Sequence, residues 1–188
     1  EMCIRDRQEL LEKFNIHKVK KVVSGGASGQ ESIYNGLKAA EEIACGEKSI
    51  VLIHDGVRPL INEKTITDNI ESVKKHGSSI TCVKVKETVL VVAEDNSIED
   101  VPNRADTRLA RAPQSFYLDE IIEAHRKAIA ENKFDFIDSC SMMQYYGKKL
   151  YLIEGPQENI KITTPDDFYT MRALLDAKEE AQIYGLED

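Results

Sequence analysis

The chain is short of cysteines, of long apolar runs and of cations, and each shortage excludes something. Cys3, Cys45, Cys82 and Cys140 are scattered over 188 residues with no C-x-x-C spacing, so neither a zinc knuckle nor a dithiol pair is written here. Buried or inert thiols are expected. His17, His54, His76 and His125 are equally dispersed, and His54 beside Asp55 is too local to argue a Ser-His-Asp triad. No stretch nears the roughly 20 apolar residues that cross a bilayer, and the N-terminus lacks the apolar core of a secretory signal. The expected compartment is the cytoplasm. Lys and Arg number 25 against 33 Asp and Glu, a net charge of −8. That average field repels a phosphate backbone, so neither nucleic acid nor an anionic membrane is expected as a partner. A small anionic substrate remains open, because a few focused cations outweigh a distant negative background.

What is present is one domain's worth of chain, with 41% hydrophobic residues and enough length to sustain a core without disulfide or metal staples. There is no internal repeat, low-complexity tract or Pro/Gly/Ser linker. Short β-branched runs alternate with amphipathic helical patterns, which favours a single α/β domain over residues 1–188. Residues 7–16 read as the end of a helix and Lys18 to Val23 as a strand. That strand runs into the turn Ser24-Gly25-Gly26-Ala27-Ser28-Gly29 and a helix from Gln30. Ser49 to His54 is a continuous apolar run of the kind that is covered on both faces. Asn62 is placed to cap the next helix and Gly77 to end it, before a strand over Ser79 to Val85. Thr88 to Val92 and Ser97 to Val101 flank Glu94-Asp95-Asn96, a hairpin that breaks the βαβ rhythm. An arm over about 86–112 is the result. Helices follow over Leu118 to Glu131 and Ser139 to Tyr146, the second started by Asp138 and stopped by Gly147. Then come a strand over Lys149 to Ile153 and a last helix announced by Thr164, Pro165 and Asp166-Asp167.

Three places can carry chemistry. The glycine-rich turn through Gly29 feeds a helix start, where backbone N–H groups approach a nucleotide closely. It fits neither the P-loop nor the dinucleotide fingerprint, and by itself such a turn is more often an ordinary strand-to-helix connection. His54-Asp55-Gly56-Val57-Arg58-Pro59 closes the apolar strand, at the carboxyl end where ligands of open α/β sheets bind. One carboxylate with phosphate oxygens and waters suits Mg²⁺, and Arg58 is placed to meet a phosphate. An Asp-Gly turn with an Arg-Asp surface pair explains the same residues equally well. Lys161, between β-branched residues just before the last helix, is a cation that could offset charge on phosphoryl oxygens. A solvated strand lysine is the commoner case. Arg104, in the arm, has no evident local partner, and Met142-Met143 with Tyr145 and Tyr146 reads as core and rim.

Taken together and in order, these segments resemble the cytidylyltransferases that activate polyol phosphates, the family of 2-C-methyl-D-erythritol 4-phosphate cytidylyltransferase and ribitol-5-phosphate cytidylyltransferase. GGASGQESIYNGL is similar to the family's nucleotide-side turn and helix, VLIHDGVRP to its metal strand and VKVKETV to its substrate strand. VPNRADTRLARAPQSF is similar to its arm and ENIKITTPDDF to its closing segment. The resemblance implies a Rossmann-like three-layer nucleotidyltransferase fold, a mostly parallel sheet flanked by helices, with a projecting β-arm. It implies that Gly26, Ala27 and Ser32 contact the cytidine of CTP and that Asp55 binds Mg²⁺. It places Arg58, Thr88 and Lys161 on the polyol-phosphate side, with Lys161 also near the reacting phosphates. Arg104 would reach across a homodimer, formed through the arm, to the partner subunit's substrate. The implied catalytic pair is Asp55 and Lys161, transferring CMP from CTP to a polyol phosphate with release of pyrophosphate.

The chain departs from the family in three ways. The family opens with a strand and a basic glycine-rich loop that have no counterpart here, so the domain is expected to be N-terminally incomplete, and Glu1 to Arg7 match nothing in it. Gly29 stands where the family's turn has an Arg, and Ile137 where it has a Thr. The runs after Arg104 lie closer to the ribitol branch. Two other readings therefore stand beside the enzyme: a non-catalytic remnant or dimerisation module, and a nucleotidyltransferase of different base or sugar specificity.

Overall fold

The elements follow one another as helix, helix, strand and then a strand-rich middle, and most begin and end where local chemistry dictates. A computed structural model describes residues 4–184; Glu1 to Cys3 lie outside the described residues. In chain order the elements are α1 (Ile4–Lys13), α2 (Gly29–Ala44), β1 (Ile50–Ile53), α3 (Glu63–His76), β2 (Ser78–Lys84), β3 (Val91–Val92), β4 (Ile98–Asp100), β5 (Arg108–Tyr117), α4 (Leu118–Ala130), α5 (Ser139–Tyr145), β6 (Leu152–Glu154) and α6 (Pro165–Tyr184). The main sheet has the order β1-β5-β2-β6, and β3 and β4 form a separate antiparallel pair. The α/β class, with a helix-flanked sheet and a β-hairpin outside it, is as expected. Among the described residues no helix is long and apolar enough to cross a membrane.

The chain divides into two compact units, residues 1–51 with 116–150, and residues 52–115 with 151–188. In the first, α2 packs on α4. Leu118, Ile121, Ile122, His125 and Ala128 of α4 are buried, the spacing of one helical face. Ser28 caps α2 by accepting from the Glu31 N–H at 3.1 Å. Asp138 caps α5 in a reciprocal box with Ser141, which satisfies two otherwise unpaired donors at once. Buried Gln30 stitches the following loop down, donating to the Lys133 carbonyl at 2.9 Å and accepting from the Phe136 N–H at 3.2 Å. Met142 and Met143 are core residues, as read from the sequence.

The second unit is organised by β2, six of whose seven residues are buried. It pairs with β6 in parallel, Ile80 opposite Leu152, and packs under α3. Asn62 accepts from the Thr65 N–H at 2.8 Å to start α3. Gly77 ends it at φ +84°, a conformation that glycine adopts without a Cβ penalty. A buried amide joins three elements here. Asn69 of α3 donates to the Thr65 carbonyl at 2.8 Å and to Thr81 Oγ1 of β2 at 3.0 Å, and accepts from Ser115 Oγ of β5 at 2.9 Å.

Three expectations change. Lys18 to Val23 is not a strand: a strand needs a neighbour for its ladder of N–H and C=O groups, and the described sheets offer it none. The apolar run of β1 is only half-buried along its length, because β1 stands at the end of the strand order and not inside it. The segment expected as arm, about 86–112, ends in the main sheet: the longest strand, β5, begins inside it at Arg108 and runs on to Tyr117, past Pro113, which argues against a strand interior in the sequence.

Candidate functional site

In the first unit the glycine-rich turn is folded around two of its own side chains. Ser32 Oγ accepts from the Gly26 N–H at 2.9 Å and donates to the Ser28 carbonyl at 2.9 Å. Glu31 Oε2 accepts from the Ala27 N–H at 2.7 Å. The carboxylate thus sits where the unpaired donors and dipole of a helix start favour an anion. Gly26 is required by this approach, since a Cβ there would stand 2.3 to 2.6 Å from three Glu31 side-chain atoms. Gly26, Ala27 and Ser32 are therefore brought together, with both amides satisfied internally. Glu31 was missed in the sequence, although the Ser28-x-x-Glu31 spacing is a capping-box signal.

A cavity of about 450 Å³ opens beside this turn, lined by Ala27, Ser28, Glu31, Tyr34, Lys38 and His125 among others. Tyr34 stacks on His125 with ring centroids 5.4 Å apart. The imidazole is 1% exposed, and burial pushes its pKa down to about 4, so it is neutral at physiological pH. Ile137, where the family has a Thr, is 96% exposed, and its neighbour Asp138 is occupied by the α5 cap.

In the second unit the structure gathers Asp55, Arg58 and Lys161. Asp55 follows the end of β1, and its Oδ2 accepts from Arg58 Nε at 3.0 Å. Lys161 Nζ lies 3.6 Å from the same oxygen. Asp55 and Lys161 are half-exposed, so solvent screens this pair and its interest is positional. Arg58 is engaged on a second side, Nη1 donating to the Asn159 carbonyl at 2.9 Å, while its own carbonyl meets His54 Nε2 at 2.9 Å. The Arg-Asp pair read as an alternative at this turn does form, and it forms together with the lysine contact that the sequence could not supply.

Both cations meet Oδ2, and Oδ1 takes part in neither contact. Among the described residues no group of three or more His, Cys, Asp or Glu side chains could hold a metal ion. The Asp55 carboxylate, with Arg58 and Lys161 on Oδ2, is the kind of single donor taken by a hard cation that completes its shell with phosphate oxygens and water. It does not fit an all-protein cage. Thr88 is exposed, near the start of the arm. Arg104, expected to lack a local partner, donates to the Lys86 carbonyl at 3.3 Å and is otherwise exposed. Asn159 and Arg111 were missed: Asn159 is fully buried, its Nδ2 donating to the Ala112 carbonyl at 2.7 Å, and Arg111 Nη1 donates to the Gln157 carbonyl at 2.9 Å. Nothing in a lone Asn or Arg signals such long-range bonds.

At the start of α6, Asp167 accepts from the Thr163 and Thr164 N–H groups at 2.9 and 2.8 Å. Those bonds, with the Thr163 and Thr164 hydroxyls, hold its pKa down to about 2.

Comparison with known proteins gives one consistent result. The family model described as IspD, 2-C-methyl-D-erythritol 4-phosphate cytidylyltransferase, matches residues 2–177, which corrects the expectation that the opening through Arg7 has no counterpart in the family. A ribitol-5-phosphate cytidylyltransferase of Streptococcus agalactiae is 51% identical over 98% of this chain and 78% of its own length. A protein of the same name from Vibrio parahaemolyticus is 50% identical over 95% and 74%. A 2-C-methyl-D-erythritol 4-phosphate cytidylyltransferase of Clostridium novyi is 39% identical over 90% and 71%. Among solved structures, 4-diphosphocytidyl-2C-methyl-D-erythritol synthase from Anaerococcus prevotii superposes with a TM-score of 0.81 at 27% identity, covering 92% of this chain and 78% of that one.

Proposed function

The chain belongs to the IspD family of 2-C-methyl-D-erythritol 4-phosphate cytidylyltransferases, and from that membership we propose that it transfers CMP from CTP to D-ribitol 5-phosphate. It is an enzyme of the nucleotidyltransferase class acting on a polyol phosphate. The choice of ribitol rests on the higher identity to relatives of that name, 51% against 39%, and on the runs that follow Arg104.

The observation that carries the reading is Asp55, a single carboxylate at the end of a strand with Arg58 and Lys161 on one of its two oxygens. Phosphoryl-type transfer asks a protein for alignment and charge neutralisation more than for covalent chemistry. A phosphate oxygen of the polyol phosphate attacks the α-phosphorus of CTP, the bond to the β-phosphate bridging oxygen breaks, and pyrophosphate leaves. No covalent intermediate is needed. Lys161 offers an ammonium to the phosphoryl oxygens, and Arg58 holds the Asp55 carboxylate in place while lining the polyol-phosphate side with Thr88. Asp55 would hold Mg²⁺, which when bound neutralises charge on the triphosphate. On the first unit, Gly26, Ala27 and Ser32 would contact the cytidine. The protein works as a homodimer through the arm, Arg104 reaching the partner subunit's substrate.

Pyrophosphate release tests this with CTP, Mg²⁺ and either D-ribitol 5-phosphate or 2-C-methyl-D-erythritol 4-phosphate. Release should be fastest with the ribitol ester. Faster turnover of the erythritol ester would move the assignment to the other branch, and preference for UTP, GTP or ATP would overturn the base. No turnover with either ester would leave the non-catalytic or dimerisation reading and a nucleotidyltransferase of different sugar specificity. Light scattering that shows a monomer at high micromolar concentration would remove the shared role of Arg104.

A further inference from the structure

Lys161 extends from a segment, residues 157–162, that belongs to no strand or helix. An ammonium on a four-carbon stem is mobile, so its place near Asp55 depends on how firmly that backbone is held. Four long-range bonds hold it. Arg111 Nη1 donates to the Gln157 carbonyl at 2.9 Å and Asn159 Nδ2 to the Ala112 carbonyl at 2.7 Å, tying the segment to β5. Arg58 Nη1 donates to the Asn159 carbonyl at 2.9 Å, and the Ile162 N–H to the Val57 carbonyl at 2.9 Å, tying it to the turn that carries Asp55.

We propose that Asn159, assisted by Arg111, is a positioning residue for Lys161: together they fix the backbone from which the ammonium meets the Asp55 carboxylate. The inference rests on the reading that Lys161 serves the reacting phosphates.

Two further features accompany this clamp. Asn159 is fully buried, yet its Oδ1 has no hydrogen-bond partner among the described residues. A buried acceptor without a partner is a cost that Ser79 Oγ and Ser139 Oγ also carry, so the positioning role rests on the four long-range bonds. Arg111 is brought toward a second guanidinium, and burial together with Arg58 pushes its pKa down. Both costs fall on the two residues that grip the segment on either side of Glu158, and Lys161 is the charged residue beyond them.

A double-mutant cycle on the enzyme tests this, with pyrophosphate release measured at saturating CTP and Mg²⁺. Asn159→Ala and Arg111→Ala should each lower kcat about ten- to a hundredfold, the scale of a small misplacement of a reacting group, with KM for CTP unchanged. In a Lys161→Ala background neither should cost anything further, because the residue they position is gone. Arg111→Lys, which keeps a donor and a charge, should recover part of the loss. Losses that multiply in the double variants would overturn the inference and leave the proposed function standing. A Lys161→Ala enzyme as fast as the parent would overturn the role of Lys161 and the inference with it. Arg111 is partly exposed and serves as the second variant if Asn159→Ala does not unfold cooperatively. Competitive acetylation read by peptide mapping follows the ammonium without any turnover: Lys161 should be modified faster in Asn159→Ala and Arg111→Ala than in the parent, and equal rates would also overturn the proposal.

Discussion

The glycine-rich turn of the first unit and the Asp55 cluster of the second solve a charge problem in opposite ways. In the turn, backbone donors of Gly26 and Ala27 are met by Ser32 and Glu31, four to six residues away. In the cluster, one carboxylate collects cations from its own turn and from a segment about a hundred residues later, 3.0 and 3.6 Å away. The turn is self-contained and its geometry is set by the chain's local conformation. The cluster exists only when β1, β5 and the 157–162 segment are all in place. Local sites should thus fail by strain, and assembled ones by loss of alignment.

The largest effect expected is on the assembled site. Asp55→Ala removes the anion shared by Arg58 and Lys161 and should lower turnover by about a hundred- to a thousandfold, as for loss of a well-placed electrostatic group. Calorimetry should show weaker binding of Mg-CTP, and undiminished binding would show that Asp55 is not the metal carboxylate. Gly26→Ala strikes the turn instead. Its Cβ must displace Glu31, and overpacking of that kind costs about 1 to 3 kcal/mol, visible as a lower denaturation midpoint at unchanged slope. An unaltered midpoint would mean that the turn yields freely.

Acid should separate the two units. His125 is buried in its neutral form, with its folded pKa at about 4 against an ordinary 6.5. The unfolded chain therefore binds the extra proton first, and stability falls as pH drops from about 6.5 toward 4. Asp167 has its folded pKa depressed to about 2 from 3.8, so its contribution is present above about pH 4 and is lost only between 4 and 2. Amide exchange should accelerate in α4 before the start of α6 as the solution is acidified, and His125→Phe should abolish the first phase. The reverse order would break the contrast. The smallest effect is a symmetric one: Ser28→Ala and Asn62→Ala each remove a helix cap, one in each unit, and should each cost about 1 kcal/mol in chemical denaturation.

The same contrast governs what could be read from the chain before the fold was known. Caps and stops were legible at Asn62, Gly77, Asp138 and Pro165, because each acts within a few residues of itself. Asp55 and Arg58 were legible as one turn and Lys161 as a separate candidate, and only the resemblance put the lysine with them. β5 was not legible, since Arg108, Ala110, Arg111 and Pro113 give neither alternation nor β-branched enrichment, and its place in the sheet is decided by β1 and β2 on either side. Lys18 to Val23 erred the other way, with good strand composition and no described neighbour to pair with. Asn159 could not be singled out, because an asparagine's burial depends on what the rest of the chain lays over it.

The amide of Asn69 has a further consequence for β5. Its bonds to Thr81 Oγ1 and Ser115 Oγ require those hydroxyls to point at one spot on α3. Successive side chains on a strand face opposite ways, so sliding β5 by a single residue would turn Ser115 away and leave a buried carbonyl oxygen bare. Asn69 therefore acts as a gauge of strand alignment. It penalises every near-miss pairing of a strand whose own composition is too plain to specify one.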